Sequence, residues 1–148
     1  MTSQRLAVYD SDAVSLIAAA LPINDGRAVE EFVTVDKDSD TFEEEESADG
    51  SVCRYATHGS LYTITVKLKG WSAENPKLMA LHALDANAPN GAGIGIFLLK
   101  DGNGSTLCNS DKCWIKKPPQ SGFGKNRPDV DWVFKVVANV GQMLIGGN

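Results

Sequence analysis

The stretch "SLYTITVKLKG", residues 60–70, has the clearest structural pattern in the sequence. Its apolar side chains recur at every second position: Tyr62, Ile64, Val66 and Leu68. Such a period of two, with threonine and lysine between the apolar positions, is typical of a strand with one buried face and one largely polar face. We therefore predict a strand here, within an antiparallel hairpin over residues 51–69 that turns at His58-Gly59.

Further strands are predicted on both sides of this stretch. The segments are "AVSLIAAALPINDG" (13–26), ended by a turn at 24–26, "RAVEEFVTVD" (27–36) and "IGIFLLKDGNGSTLCNSDKCWIKK" (94–117), a hairpin that turns at 101–104. The segment "VDWVFKVVANVGQML" (130–144) is apolar on both faces, with Val140 on the face of Trp132. A strand of this kind lies at the centre of a sheet or against another subunit.

One helix is predicted, over "WSAENPKLMALHALDAN" (71–87). Ser72 or Asn75 can cap its start, and Pro76 suits the first turn. An apolar stripe of Leu78, Leu81 and Leu84, with Met79 beside it, predicts that the helix packs on a sheet. Trp71, at the corner between strand and helix, is predicted to be a core residue.

These elements predict a mainly β protein, a small β-sandwich or β-barrel of about seven strands with one flanking α-helix. The length of 148 residues fits a single domain, residues 1–148. No basic-then-apolar signal peptide precedes it, so we expect synthesis in a cytoplasm, and no apolar run is long enough for membrane insertion.

The composition argues against nucleic-acid binding, disulfides, metal binding and catalysis. A net charge of −5 argues against binding nucleic acid through its phosphates. Three cysteines without a signal peptide argue against a disulfide framework, and the spacing of Cys108 and Cys113 fits a zinc site poorly. His58 and His82 have no partner at catalytic or metal-binding spacing. We therefore expect no enzyme, no metal and no cofactor.

The order of the motifs resembles that of the tail tube proteins of contractile-tailed bacteriophages. The segment "ADGSVCRYATHGSLYTITVKLKGWSAENPKLMALHAL" (48–84) carries most of the resemblance, followed by "IFLLKDGNG", "CWIKKPP" and "WVFKVVANVGQMLIGGN". The resemblance extends from about residue 13 to residue 148. One departure is "KGW" before the helix, where smaller polar residues are expected.

The resemblance implies a structural virion protein of the phage tail. Six copies would form a ring, and stacked rings would form the rigid inner tube through which DNA is ejected, a fold shared with type VI secretion and pyocin tubes. Tail sheath, baseplate and tail-terminator proteins are the implied partners. DNA would pass through the lumen without specific binding, and assembly would take place in the host cytoplasm.

The acidic segment "DTFEEEESADG" (40–50) is the most unusual part of the sequence. Its charge could line the lumen and repel DNA, it could be a solvated hairpin tip, or it could belong to an arm that contacts the adjacent ring. We favour an arm over about residues 37–50, with Phe42 as its apolar anchor, some glutamates near the lumen, and Lys116, Lys117 and Lys125 of a neighbour as partners. The predicted arm residues are Phe42, Glu43, Glu44, Glu45, Glu46, Asp49 and Gly50.

A second set of residues is predicted to form the subunit interface. It comes from the terminal strand: Trp132, Val137, Gln142, Met143, Leu144 and Ile145. Two other hypotheses remain. A small β-sandwich that binds carbohydrate or peptide would be a monomer with an exposed aromatic platform, and an enzyme would have a cleft with a perturbed titratable pair.

Overall fold

The computed structural model describes residues 13–28, 31–88, 90–120 and 122–146. They form one α-helix and ten strands: β1 Val14–Ala18, β2 Leu21–Pro22, β3 Val33–Lys37, β4 Phe42–Glu46, β5 Val52–Ala56, β6 Leu61–Leu68, α1 Glu74–Asn87, β7 Gly95–Asp101, β8 Leu107–Lys117, β9 Val130–Val137 and β10 Met143–Leu144. The predicted mainly β class with one flanking helix is confirmed. Residues 1–12, for which no signal peptide is predicted, lie outside the described residues.

The main sheet is antiparallel and has the strand order β2-β1-β7-β8-β9-β6-β3, with β10 paired to β8. Strand β9 lies between β8 and β6, where its apolar pattern predicts a central strand. It is shorter than predicted, because the strand ends at Val137 and Val140 begins a 3-10 helix, Val140–Gln142. Val140 is therefore exposed and does not share a face with Trp132.

One face of the sheet supplies the core. Ile64 of β6 pairs with Phe134 of β9, and Val66 pairs with Trp132, so each buried side chain has a buried neighbour across the ladder. The predicted buried face of residues 61–68 is thus confirmed. Strands β1, β7 and β8 add further apolar side chains to the same cluster, which makes the fold sandwich-like. Within the described ranges the sheet does not close into a barrel.

The side chain of Arg27 links the two ends of this open sheet. Arg27 forms an isolated bridge with Leu68, beside β3, and its guanidinium reaches across to the other end. There it donates to the Val14 carbonyl of β1 (2.8 Å) and to the Ile23 carbonyl after β2 (2.6 and 2.9 Å). The guanidinium also lies 4.7 Å from the ring centroid of Phe32. These charge-assisted hydrogen bonds therefore link the two ends of the sheet, which no strand ladder joins within the described part of the chain.

The predicted hairpin over residues 51–69 is wrong. Strand β5 pairs with β4, and β6 pairs with β3 and β9. The reason lies in the side chains: β6 has an apolar face that needs the matching faces of β3 and β9, whereas β5 has none to offer to the core. Between β5 and β6, Gly59 packs against Ser39, and a Cβ there would require the Ser39 hydroxyl to move.

The N-terminal segment also forms shorter strands than predicted. Ala19 and Ala20 have φ angles of 50° and 69°, so the chain turns between β1 and β2 and does not continue as one strand. The predicted turn at residues 24–26 is present, with φ 67° at Gly26. Within the strand predicted over 27–36, β3 begins at Val33; residues 29 and 30 lie outside the described residues.

The start of helix α1 depends on this turn. The Ser72 hydroxyl donates to the Asp25 carbonyl (2.5 Å) and accepts from the Glu74 amide (3.2 Å), and the Asp25 carboxylate accepts from the Ala73 amide (2.7 Å). Ser72 thus helps to satisfy the helix start, although the N-cap residue itself is Ala73. These contacts position the helix beside the end of β6.

The apolar stripe of α1 is only partly used for packing. Leu78 is fully buried and Leu81 packs against the core from a half-buried position. Leu84 and Met79 are 53% and 43% exposed, so the predicted stripe holds for its first two leucines and fails at its end. The free part of the stripe leaves apolar surface available to a partner.

Candidate assembly surfaces

The acidic segment belongs to a separate two-stranded hairpin, formed by β4 and β5, which we call the acidic arm (residues 42–56). Its two strands pair only with each other, and each of their residues is exposed. The arm carries five carboxylates and one cation, Arg54. It extends further along the chain than the predicted range of 37–50, since its second strand ends at Ala56.

The pairing register divides the arm into two faces. The front face carries Phe42, Glu44, Glu46, Val52, Arg54 and Ala56, and the back face carries Glu43, Glu45, Cys53 and Tyr55. On the front face the Arg54 guanidinium lies 4.1 Å from the ring centroid of Phe42. On the back face a hydrogen bond to Glu43 raises the pKa of Tyr55. The four glutamates therefore point in two directions.

Asp49 and Gly50 form the tip of the arm. The Asp49 carboxylate accepts hydrogen bonds from the Ser47 hydroxyl and from the Ser51 amide (2.9 Å for the amide), and Gly50 has a φ of 88°. These hydrogen bonds lower the pKa of Asp49 to about 2. Both residues of the predicted arm thus have a turn-forming function within the chain.

The root of the arm is fixed to the sheet by a polar cluster. Lys135 of β9 forms an ion pair with Asp38, and both side chains contact the Thr63 hydroxyl of β6 (2.7 Å to the Lys135 amine). The hydrogen bond from Lys135 is the main cause of a lowered pKa at Asp38. A backbone hydrogen bond from the Thr57 amide to the Thr41 carbonyl (3.0 Å) closes the hairpin. The arm therefore leaves the sheet at a defined place.

The predicted subunit-interface residues are divided between interior and surface. Trp132 is 1% exposed, and its indole donates to the Asn75 side-chain oxygen (3.0 Å). Met143, the first residue of β10, is also buried. Val137 and Gln142 are half-buried. Leu144 and Ile145 are exposed, and Leu144 pairs across the ladder with the exposed Leu107. Leu144 and Ile145 are thus the residues of the predicted set that can contact a neighbouring subunit.

A groove that the sequence did not reveal lies between the end of β6, the start of α1 and the loop before β9. It encloses about 430 Å³, and it is lined by Gly70, Trp71, Ser72, Ala73, Asn75, Pro76, Met79, Pro119, Arg127, Val130 and Trp132. Trp71 is 67% exposed, so its predicted position in the core is wrong. The indole instead forms a wall of this groove.

The polar groups at the bottom of the groove already have partners within the chain. The Asn75 amide nitrogen donates to the carbonyls of Lys69 (3.0 Å) and Gly70 (3.3 Å), and its oxygen accepts from Trp132. The carbohydrate-binding hypothesis predicts an exposed aromatic platform, which Trp71 provides. A sugar also needs free polar partners, however, and the groove is therefore better suited to an apolar side chain beside the cation of Arg127.

Two of the three thiols lie away from these surfaces, whereas Cys53 is exposed on the back face of the arm. Cys108 and Cys113 are buried in β8, and burial raises the pKa of Cys113 to about 12. Among the described residues no cluster of His, Cys, Asp or Glu could hold a metal ion. Within the same residues, no helix has the length and apolar character needed to cross a membrane.

Comparison with known proteins defines the class as structural proteins of bacteriophage tails. The family model of the Bacteriophage PhiTE tail tube protein matches residues 17–144, and the chain belongs to this family. It is 33% identical over 123 residues to Structural protein ORF10 of Pseudomonas phage KPP10, covering 83% of this chain and 70% of that protein. The resemblance to phage tail tube proteins is thus confirmed.

A solved structure has the same fold. The tube-terminating cap of the anti-feeding prophage superposes with a TM-score of 0.57 at 7% sequence identity, over 93% of each chain. At this identity the similarity concerns the fold alone. It agrees with the sandwich-like arrangement of the sheet described above.

Proposed function

We propose that this protein forms hexameric rings that stack into the inner tail tube of a contractile-tailed phage and conduct DNA during ejection. The protein then resides in the virion tail and assembles in the host cytoplasm, with tail sheath, baseplate and tail-terminator proteins as partners. It acts as a structural protein, without enzymatic activity, cofactor or membrane insertion. Membership of the tail tube family supports this function at the level of class.

The observation that carries the proposal is the acidic arm. Its residues are all exposed, so they add no buried apolar area to the subunit's own stability. Five carboxylates on so small a hairpin repel one another. In an isolated subunit this repulsion is unfavourable and is not offset by any burial. A neighbouring copy with cations in reach removes this repulsion. We therefore propose that the acidic arm, which contains the predicted arm residues 42–46, 49 and 50, contacts the adjacent ring through one of its two faces.

The ring contact involves other parts of the chain. Leu144 and Ile145 present exposed apolar side chains, with Val137 and Gln142 half-buried nearby in the sequence. Strands β2 and β3 are the end strands of the sheet. End strands of free subunits invite pairing with other chains, and a closed head-to-tail ring covers them. We place these residues at the contact between subunits of one ring.

Electron microscopy of the purified protein in negative stain tests the proposal. We expect rings, or tubes of stacked rings, and a sedimentation coefficient far above that of a 148-residue monomer. Small featureless particles at high concentration would contradict the proposed function and favour a monomeric binding module. This measurement needs no partner protein and no DNA.

Replacing Glu43 to Glu46 by glutamine separates two possible uses of the charge. If the glutamates pair with cations of the adjacent ring, tubes should assemble poorly, and high salt should weaken wild-type tubes in the same way. If they line the lumen, tubes should form normally, but DNA should adhere to them more strongly at low salt. Normal assembly without a change in DNA adhesion would indicate a solvated tip.

A further inference from the structure

The root of the acidic arm and the groove lie at opposite ends of strand β6. At the first residue of β6, the Leu61 carbonyl accepts a hydrogen bond from the Asp38 amide (3.1 Å) at the root of the arm. Beyond the last residue of β6, Gly70 and Trp71 begin the groove. A strand of 8 residues at about 3.3 Å per residue separates the two features by roughly 23 Å. A subunit therefore presents them at two different ends.

The front face of the arm has an apolar side chain near its tip. Val52, the first residue of β5, is 67% exposed and lies opposite Glu46. Glu44 follows on the same face. Phe42, the predicted anchor, lies at the other end of the hairpin under Arg54. The tip thus offers one apolar group bordered by carboxylates.

The groove has the complementary composition. Its wall includes the exposed side chains of Trp71 and Met79. The adjoining segment, residues 116–128, contains four cations and no carboxylate in a protein whose net charge is −5. We call it the basic loop, although its first two residues end β8. Arg127 of this loop lines the groove directly. An apolar surface beside concentrated positive charge matches the tip of the arm in both respects.

We propose that the tip of the acidic arm docks into the groove of a second copy of this chain. Val52 contacts Trp71 and Met79 there, and Glu46 faces Arg127. The inference rests on the proposed function and deepens it by naming the surface that receives the arm. Since donor and acceptor lie at opposite ends of β6, the contact is head-to-tail and repeats along one axis, which suits a stack of rings.

Charge reversal on the two faces of the arm tests the docking. Glu46→Lys places a cation against the basic loop, and we expect the loss of sedimentable tubes with an unchanged melting temperature. Glu45→Lys is the matched control, because it makes the same change at the neighbouring exposed position on the back face. We expect tubes from this control in wild-type amounts.

Restoration by a second change makes the test specific. Arg127→Glu alone should also abolish tubes, and combining it with Glu46→Lys should restore them, since the pair is then reversed as a whole. Combining Arg127→Glu with Glu45→Lys should restore nothing. Rings should form in all five variants, because the contact between subunits of one ring does not use these residues.

A cross-link gives an independent readout. In a Cys53→Ser background, which removes the exposed thiol of the arm, Val52→Cys with Met79→Cys should yield disulfide-linked chains in tubes after mild oxidation. Either cysteine alone should not give the ladder of linked chains on a non-reducing gel.

The outcomes distinguish the docking from the proposed function. Wild-type tubes with equal effects of Glu45→Lys and Glu46→Lys, no restoration and no cross-link would overturn the docking and leave the proposed function standing. Absence of rings and tubes from the wild-type protein would overturn the proposed function, and the docking with it.

Discussion

The acidic arm and the β6–β9 pair are both antiparallel ladders, yet they serve different purposes. In the β6–β9 pair, Ile64 and Phe134 face each other with no exposed surface. In the arm every residue is exposed, and carboxylates occupy most of β4. A two-stranded hairpin is at best marginally stable in water. Backbone pairing is thus common to both ladders. Burial decides which ladder stabilises the subunit and which remains available to a partner.

The sharpest test of this difference introduces a charge into each ladder. Ile64→Asp places an unpaired carboxylate in the core, at a cost of several kcal/mol, comparable with the whole free energy of unfolding of a small domain. We expect an insoluble protein. Val52→Asp on the arm should give a soluble protein with the wild-type melting temperature, measured by circular dichroism. A soluble, cooperatively melting Ile64→Asp variant would mean that the face assignment of β6 is wrong.

The second-largest effect on stability is expected from Arg27, whose side chain bridges the two ends of the sheet. Arg27→Met leaves the carbonyls of Val14 and Ile23 without their donor, and we expect a loss of roughly 2–3 kcal/mol in the free energy of unfolding from urea titration. Arg27→Lys keeps the charge without the planar fork and should lose less. An unchanged midpoint in Arg27→Met would show that the sheet ends do not depend on this bridge.

On the arm, a truncation should affect assembly alone. Phe42→Ala removes the cation–π contact with Arg54, worth roughly 0.5–1 kcal/mol at an exposed site, so the melting temperature of the free subunit should hardly change. Tubes should nevertheless be lost, because a contact repeated around each ring multiplies a small effect. Tyr55→Ala on the back face is the control and should assemble. Normal tubes from Phe42→Ala would exclude Phe42 from the contact between adjacent rings.

The smallest expected effect is local and depends on pH. The native pKa of Asp49 is about 2, below the ordinary value near 3.9, so its ionised form supports the turn fully above about pH 4. This support is lost as the pH falls through about 2. The Ser51 amide, which donates to Asp49, should follow that titration by NMR, and Asp49→Asn should abolish it. A midpoint near pH 4 would contradict the hydrogen-bonded turn.

Local sequence patterns predicted the elements better than their partners. The β6 alternation, the hairpin turn at 101–104 and the position of α1 all depend on neighbouring residues, and all three are present. The partner of β5 was missed because pairing with β4 or β6 is decided by which side chains the core accepts, a property of the whole sheet. Among the candidate surfaces, the acidic run was visible as composition. The groove was not, because residues from separate segments such as Trp71 and Arg127 meet there only after folding.

The strand order also determines when the subunit can fold. Leu16 of β1 pairs with Leu99 of β7, and Ile64 of β6 pairs with Phe134 of β9. The sheet therefore depends on contacts between residues that are far apart in the sequence. Such topologies fold slowly, whereas a hairpin that pairs only with itself closes within microseconds. During synthesis, which proceeds from the N-terminus, the acidic arm can therefore close long before Arg127 and Trp132 leave the ribosome. A nascent chain then forms its arm before its groove, and under the proposed docking only finished subunits can add to a tube.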